Sequence, residues 1–586
     1  MRADVGSLDD LRARGWLAGT AGARPVCVFW HEDRAWALDD RCPHLGFPLH
    51  RGSVEDGLVT CHWHHARFDL ASGGTLNPFA DDVRTYPVEL DGGRVRVVVE
   101  PERPDPERLF GRLGDRLEQG LTLVVAKAVL GLLEAGVAPA EVVRAGVRFG
   151  ADNRAAGWGS GLTVLVAMAN VLPHLDPADR PLALVHGLAF VSRDTRGRPP
   201  RFPLAPLAGG TVGPQRVAGW YRRFVEVRAA DPAERALATA VAAGTPLGEV
   251  EATMMAAATD HLFLDGGHTV DFTNKAFEAL AQLGAGEAAR LLPTLVAQTA
   301  SAGRAEESGR WRHPVDLAAL VGEASARLPG QLAAGRDARR AGAWDGVAAL
   351  AGEVLGDDPA AVVGSLGRAL AAGATAEQVG RAVAYAAALR LARFHTGNDH
   401  ADWDVVHHAF TAANAVHQSV VRAPSPESLR GVLQVAAKVY LDRFLNVPAA
   451  RDAERVAAGL GPGGLDDLQE CWDRQGQVDE AGAVAWRHLA GGGDPARLVA
   501  ALGRALLAED AQFHWYQTYE AAVRQWAAWP PGSPDGARVL VACARFLAAH
   551  TPTRRELPAV AATAARLRRG EPVGADDGAR EPAGEP

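Results

Sequence analysis

The chain is poor in the features that would place it outside a compact, membrane-free protein. It has only five cysteines in 586 residues, Cys27, Cys42, Cys61, Cys471 and Cys543. That is too few and too scattered for the disulfide framework of a small secreted domain. No run approaches the roughly 18 uninterrupted apolar residues of a membrane span, and the opening MRADVGSLDDLRARGW has no apolar signal-peptide core. No excess of positive charge exists either: the formal net charge is −9 and no Lys/Arg block is long, so the counterion-release attraction behind nucleic-acid binding has no footprint. These absences predict a cytoplasmic protein with no membrane and no nucleic acid among its partners.

Further absences narrow the chemistry. No Gly-x-Gly-x-x-Gly follows a strand-like run and no P-loop occurs, so no nicotinamide, flavin or nucleotide module is legible. No Cys-x-x-Cys pair and no Cys-x-x-Cys-His heme attachment motif is present.

The texture changes once along the chain. Residues 24–100 read as short alternating apolar runs, such as Arg94-Val-Arg-Val-Val-Val-Glu100, the period-2 pattern of half-buried strands. PERPDPER at 101–108 follows, and beyond it alanine-rich segments with helical spacing run to about 569. The expected fold is multi-domain, a small all-β domain followed by a large all-α helical repeat region. The boundaries read as 1–102 for the β domain, a linker at 103–108, and helical repeats at 109–225, 226–340 and 341–475. A degenerate fourth repeat at 476–570 precedes a tail, 571–586, too polar to offset its ordering entropy.

The strongest signal lies in the first hundred residues. Cys42-Pro-His44 and Cys61-His-Trp-His64 are separated by sixteen residues. Two loops each offering one thiolate and one imidazole supply what a cluster needs when one iron takes two sulfurs and the other two nitrogens. A zinc ribbon is the competing use of Cys/His pairs, and Cys-x-His is an unusual zinc spacing. The stretch ALDDRCPHLGFPLHRGSVEDGLVTCHWHHARFDLASGG resembles the Rieske family of ferredoxins and ring-hydroxylating dioxygenases across nearly all of residues 1–100. The resemblance implies a 2Fe-2S cluster held by Cys42, His44, Cys61 and His64, working in one-electron transfer within about −150 to +300 mV. The bc-complex branch adds a disulfide-forming cysteine to each loop; Phe47 and Trp63 occupy such places here, which implies the ferredoxin-like branch. Two flanking positions are unusual, with His62 where the family has proline and His65 where it has glycine.

The helical region repeats itself. Leu133-Glu-Ala-Gly-Val-Ala-Pro-Ala-Glu-Val-Val143, Val241-Ala-Ala-Gly-Thr-Pro-Leu-Gly-Glu-Val250 and Leu370-Ala-Ala-Gly-Ala-Thr-Ala-Glu-Gln-Val379 match one another. Each leads to a second helix, at GWGSGLTVLVAMANVL, GGHTVDFTNKAFEAL and HADWDVVHHAFTAANAV, with FHWYQTYEAAVRQW as the degenerate fourth. The pattern resembles the helical hairpin of the carboxymuconolactone decarboxylase and alkylhydroperoxidase D families, whose peroxidase cysteine pair is absent.

Histidine concentrates at matching loops: His261 and His268 in the second repeat, His395 and His400 in the third. His400, Asp404, His407 and His408 fall on one helical face. The facial-triad spacing of Rieske oxygenases, Asp/Glu-x-x-His-x-x-x-x-His in a β-rich domain, is not evident. His261, His268, His400, Asp404 and His407 are therefore the candidate catalytic residues, able to hold a further non-heme iron, with His514 and Glu520 as extra donors for a dinuclear version. Heme is a third use of such histidines.

The expected function is a Rieske iron-sulfur oxidoreductase. It would take electrons from an external reductase or ferredoxin and deliver them to an oxygenase-like site acting on a small organic substrate and dioxygen. The alternative reading is a non-catalytic redox-sensing or electron-transfer protein with a helical interaction scaffold.

Overall fold

A computed structural model describes residues 1–99, 105–208, 212–308, 314–459, 464–569 and 571. All its strands lie between Arg2 and Val98, and helices fill the rest. A small β domain followed by a large helical region is thus the observed architecture. No helix among the described residues is long and apolar enough to cross a membrane.

The first compact unit is Met1–Ala138 together with the segment beginning at Leu557. Strands β1 (Arg2–Ser7), β2 (Trp16–Ala21), β3 (Arg24–His31), β4 (Arg34–Asp39), β5 (Ser53–Glu55), β6 (Leu58–Thr60), β7 (Arg67–Asp69), β8 (Thr85–Tyr86), β9 (Val88–Asp91) and β10 (Arg94–Val98) form three antiparallel sheets. Their orders are β1-β10-β9, β2-β3-β4-β8 and β5-β6-β7. Alternation does the sorting: Val26 and Val28 pack with Leu11, Leu17, Val95 and Val97, while Cys27 and Phe29 pack with Leu38, Val59 and Phe68 beneath the loops that carry Cys42 and Cys61.

Two consecutive helices, and the later helix Glu556–Arg568, extend this unit beyond its strands. The stretch read as a linker, 103–108, already begins helix α2 (Pro106–Gln119), with α1 being Leu8–Arg14. Asp105 caps it by accepting from Glu107 and Arg108 N–H groups, and proline sits at the first helical position, where its missing N–H costs nothing. Residues 103 and 104 lie outside the described residues, as does the expected tail apart from Glu571. Helix α3 (Thr122–Glu134) follows.

The second unit is Pro139–Glu556, in which every regular element among the described residues is a helix. Its centre is a ring of four helices: α4 (Ser160–Val171), α5 (His268–Leu283), α6 (Asp402–Arg422) and α7 (Phe513–Ala527). Helix α4 packs on α5, α5 on α6, α6 on α7, and α7 closes back on α4. One comes from each stretch whose second helix matches the others in sequence. Helix α4 is mostly apolar and adds Asn170 to the polar interior, while the other three turn more polar residues inward: Asp271, Asn274, Lys275 and Glu278 on α5, Asn414 and His417 on α6, Gln517, Glu520 and Gln525 on α7 are all buried.

Candidate functional site

Two clusters of candidate ligand residues stand out, one in each unit. In the first, β4 leads into the loop Cys42–Phe47, and β6 and β7 flank the loop Cys61–Ala66. The loops are built alike. Cys42 N–H donates to Phe47 O at 2.8 Å and Gly46 N–H to Cys42 O at 2.7 Å, while Cys61 N–H donates to Ala66 O and His65 N–H to Cys61 O, both at 2.9 Å. Gly46 and His65 occupy the equivalent turn position with φ of 87° and 58°. This left-handed backbone favours glycine, so His65 adopts the conformation that the missing glycine would take without strain.

The donor set fits a cluster of the kind the four residues imply. Both thiols are buried, and backbone N–H groups of His44 and Leu45 point at the Cys42 sulfur while those of Trp63 and His64 point at the Cys61 sulfur. The hydrogen bond shared by the two thiols, the largest influence, lowers Cys61 and raises Cys42. The imidazoles of His44 and His64 meet edge to face with centroids 4.6 Å apart, and His44 Nδ1 is buried with no hydrogen-bond partner. Burial, then the charges of His64 and Lys127, lowers His44 to about 4, leaving a neutral ring ready to ligate. A 2Fe-2S cluster bound there supplies one-electron transfer. His62, His64 and His65 are exposed, as is Trp63, which packs against Phe47.

In the second unit the structure gathers histidines from three helices of the ring. One ligand atom each from His268, His408 and His514 lies within 4.8 Å of the other two. His408 Nε2 and His514 Nε2 are 3.1 Å apart, near the roughly 3.3 Å between two ligand nitrogens on a tetrahedral ion with bonds of about 2.05 Å. Gln517 Oε1 faces His514 Nδ1 at 3.2 Å and accepts its N–H, which leaves the lone pair on Nε2, turned toward His408. Gln517 Nε2 in turn donates to Asp271. Burial, the largest cause in each case, lowers His408 to about 3, His514 to about 4, and also His268. The rings are neutral at physiological pH, the state in which imidazole binds metal.

Below the histidines the polar core becomes ionic. Lys275 Nζ donates at 2.8 Å to both Glu278 and Glu520, and all three side chains are at most 2% exposed. Asn170 donates to both glutamates, Asn274 to Glu278, and Arg524 to Glu520. Burial opposes Glu278's charge, yet Lys275, Arg524 and Arg422 outweigh it and hold the carboxyl well below its usual range.

The five candidates from the sequence separate. His268 joins the trio. His407 lies against it, 4.2 Å between centroids from His514, buried with both ring nitrogens lacking a hydrogen bond. His261 is instead held by Glu306 at Nδ1 and Glu226 at Nε2, each 2.6 Å away, so both nitrogens are engaged. His400 is exposed and leans on His550, and the Asp404 side chain is 64% exposed. A helical face names residues on one helix, whereas the trio needs three helices at one level. His408 shared the face already marked. His514 opens its helix as His268 does, a match between repeats that was the available signal. Of the segment after Glu306-Glu307, residues 309–313, with Trp311, Arg312 and His313, lie outside the described residues.

The comparisons with known proteins fall on the first site. The model of the Rieske [2Fe-2S] domain matches residues 2–87. The ferredoxin subunit of anthranilate 1,2-dioxygenase from Burkholderia cepacia is 34% identical over 96 residues, 16% of this chain and 89% of that protein. The ferredoxin component of an alkene monooxygenase system from Xanthobacter autotrophicus is 33% identical over 99 residues, 17% of this chain and 81% of that one. Among solved structures, the ferredoxin of carbazole 1,9a-dioxygenase from Nocardioides aromaticivorans is 26% identical, with 17% of this chain and 99% of that chain covered and a TM-score of 0.16. By its first 87 residues, with two cysteines and two histidines on paired loops, the chain belongs to the Rieske [2Fe-2S] family and carries an electron-transfer domain similar to the ferredoxin components of oxygenase systems.

Proposed function

We propose that this protein is an oxygenase-like oxidoreductase in which the electron carrier and its acceptor are parts of one chain. The Rieske domain receives single electrons from an external reductase or ferredoxin. The acceptor is a metal ion, iron in the oxygenase reading, held by His268, His408 and His514, where dioxygen and a small organic substrate meet. The observation that carries the reading is the convergence of three neutral imidazoles from three ring helices, with His514 oriented by Gln517. Three protein ligands leave positions free for substrate and oxygen. Three matching helix pairs and a degenerate fourth, read as similar to carboxymuconolactone decarboxylase hairpins, supply the scaffold.

Metal analysis of the full-length protein tests it. The wild type is expected to hold one metal equivalent beyond the two irons of the cluster. His408→Ala and His514→Ala lose that equivalent and keep the cluster spectrum, while Cys61→Ser loses the cluster and keeps the extra metal. If the histidine variants bind as much metal as the wild type, the reading fails.

A further inference from the structure

We infer that the trihistidine centre takes an anionic, oxygen-chelating ligand with a flat apolar body, such as an enolate, a catecholate or a 2-hydroxy-ketone anion. This rests on the reading of His268, His408 and His514 as a metal centre and adds the class of molecule that completes it. No carboxylate belongs to the donor group among the described residues, so a divalent ion there keeps both positive charges. The carboxylate linked to the trio, Asp271, is turned to Gln517 and not to the histidines. Asp265 acts on His268 and Lys438 on His408, opposite in sign and both outside the donor group. In a half-buried site of lowered dielectric an uncompensated dication strongly favours an anion over a neutral donor. Three protein ligands leave more than one position open on an ion of five or six coordination, which suits a chelate. The rings of Phe272 and Phe513, 5.5 and 5.9 Å from His268, provide an apolar wall for a planar body.

Cobalt(II)-loaded full-length protein, with the cluster kept oxidised and diamagnetic, tests this by cobalt EPR and calorimetry. Tropolone, an anionic aromatic chelator, is the probe and its neutral methyl ether the control. Tropolone is expected to change the cobalt signal and to bind at least about tenfold more tightly than the ether. Equal affinities overturn this inference and leave the metal centre standing. A cobalt signal unaltered by His408→Ala overturns the metal centre itself, and the inference with it.

A second observation stands independently in the first unit. Lys127, on α3 and beyond the residues matched by the family model, is buried and donates its Nζ to Pro43 O, the carbonyl between ligands Cys42 and His44. It lies 3.4 Å from Asp81, which Arg112 of α2 also holds at 2.5 Å. We propose that Lys127 is a positioning and tuning residue for the cluster: its charge favours the reduced state, which carries one more electron, and so raises the reduction potential.

Lys127→Gln, which keeps a donor and loses the charge, is expected to lower the equilibrium constant for reduction about tenfold, 59 mV for one electron. Asp81→Asn is expected to shift the potential upward. Protein-film voltammetry reads both. Wild-type potentials in both variants, or shifts of the same sign, overturn the assignment.

Discussion

Lys275→Met is expected to cost the helical unit about 3 to 5 kcal/mol. The lysine is the shared partner of Glu278 and Glu520, each 2.8 Å from its Nζ, in a core where none of the three is more than 2% exposed. Removing it strands two carboxylates among Asn170, Asn274 and Asn414, which offer hydrogen bonds but no charge. Arg524, bonded to Glu520, and Arg422, on the Glu278 side, remain and set the lower end of the range. Urea denaturation followed by helical circular dichroism measures the effect. Adding Glu520→Gln to Lys275→Met is expected to restore part of the loss, since one stranded charge then disappears. An unshifted midpoint for Lys275→Met would show that the arginines alone balance the carboxylates.

Asp271→Asn is expected to stabilise the protein in a pH-dependent way. Burial, the largest cause, raises the Asp271 carboxyl from 3.8 to about 7, with Lys275 and Gln517 pulling the other way. The folded state therefore holds this proton where the unfolded chain has released it. Asp271 imposes no penalty below pH 3.8; one grows as pH rises from 3.8 to 7 and stays constant above, reaching about 4 kcal/mol at 1.36 kcal/mol per unit. Asparagine keeps an acceptor for Gln517 and carries no titrating proton. The variant and the wild type should have matching thermal midpoints near pH 4, separate progressively up to about pH 7 and keep that separation to pH 8, with the variant higher. A constant difference across that range would contradict the assignment of a buried, proton-holding carboxyl.

Both effects arise in the same polar column, and that column runs up to the trihistidine through Gln517. A buried ionic core is seldom the most stable filling for a helical bundle. Its presence beneath histidines that Gln517 orients is what sets this ring apart from an ordinary alanine-rich scaffold.

The Rieske site was legible because its information is local. Two cysteines and two histidines sit in two short loops at a spacing that each loop enforces by itself, and the apolar alternation of β3 and β6 places those loops over one core. The helical class was legible for a similar reason: alanine-rich periodicity and caps such as Asp105-Pro106 act within a few residues. The linker reading at 103–108 failed where that same Asp-Pro pair starts a helix rather than a coil.

The histidines that the sequence singles out in the helical region do not form one group in the structure. His261 belongs to a pair of glutamates and His400 leans on His550, although both follow the same repeat logic as His268. Periodicity gives the angle of a residue around its own helix, and says nothing of the height at which neighbouring helices meet. His268, His408 and His514 share a level only because α5, α6 and α7 close a ring, and Lys275 meets Glu520 across 245 positions of sequence for the same reason. The chain's sequence alone therefore determined a Rieske electron carrier joined to a helical repeat region, since short-range spacing encodes both. Which polar residues face one another inside that region was decided by tertiary packing, because burial of the apolar faces of α4 to α7 sets their relative heights and leaves the inward polar groups to find partners there.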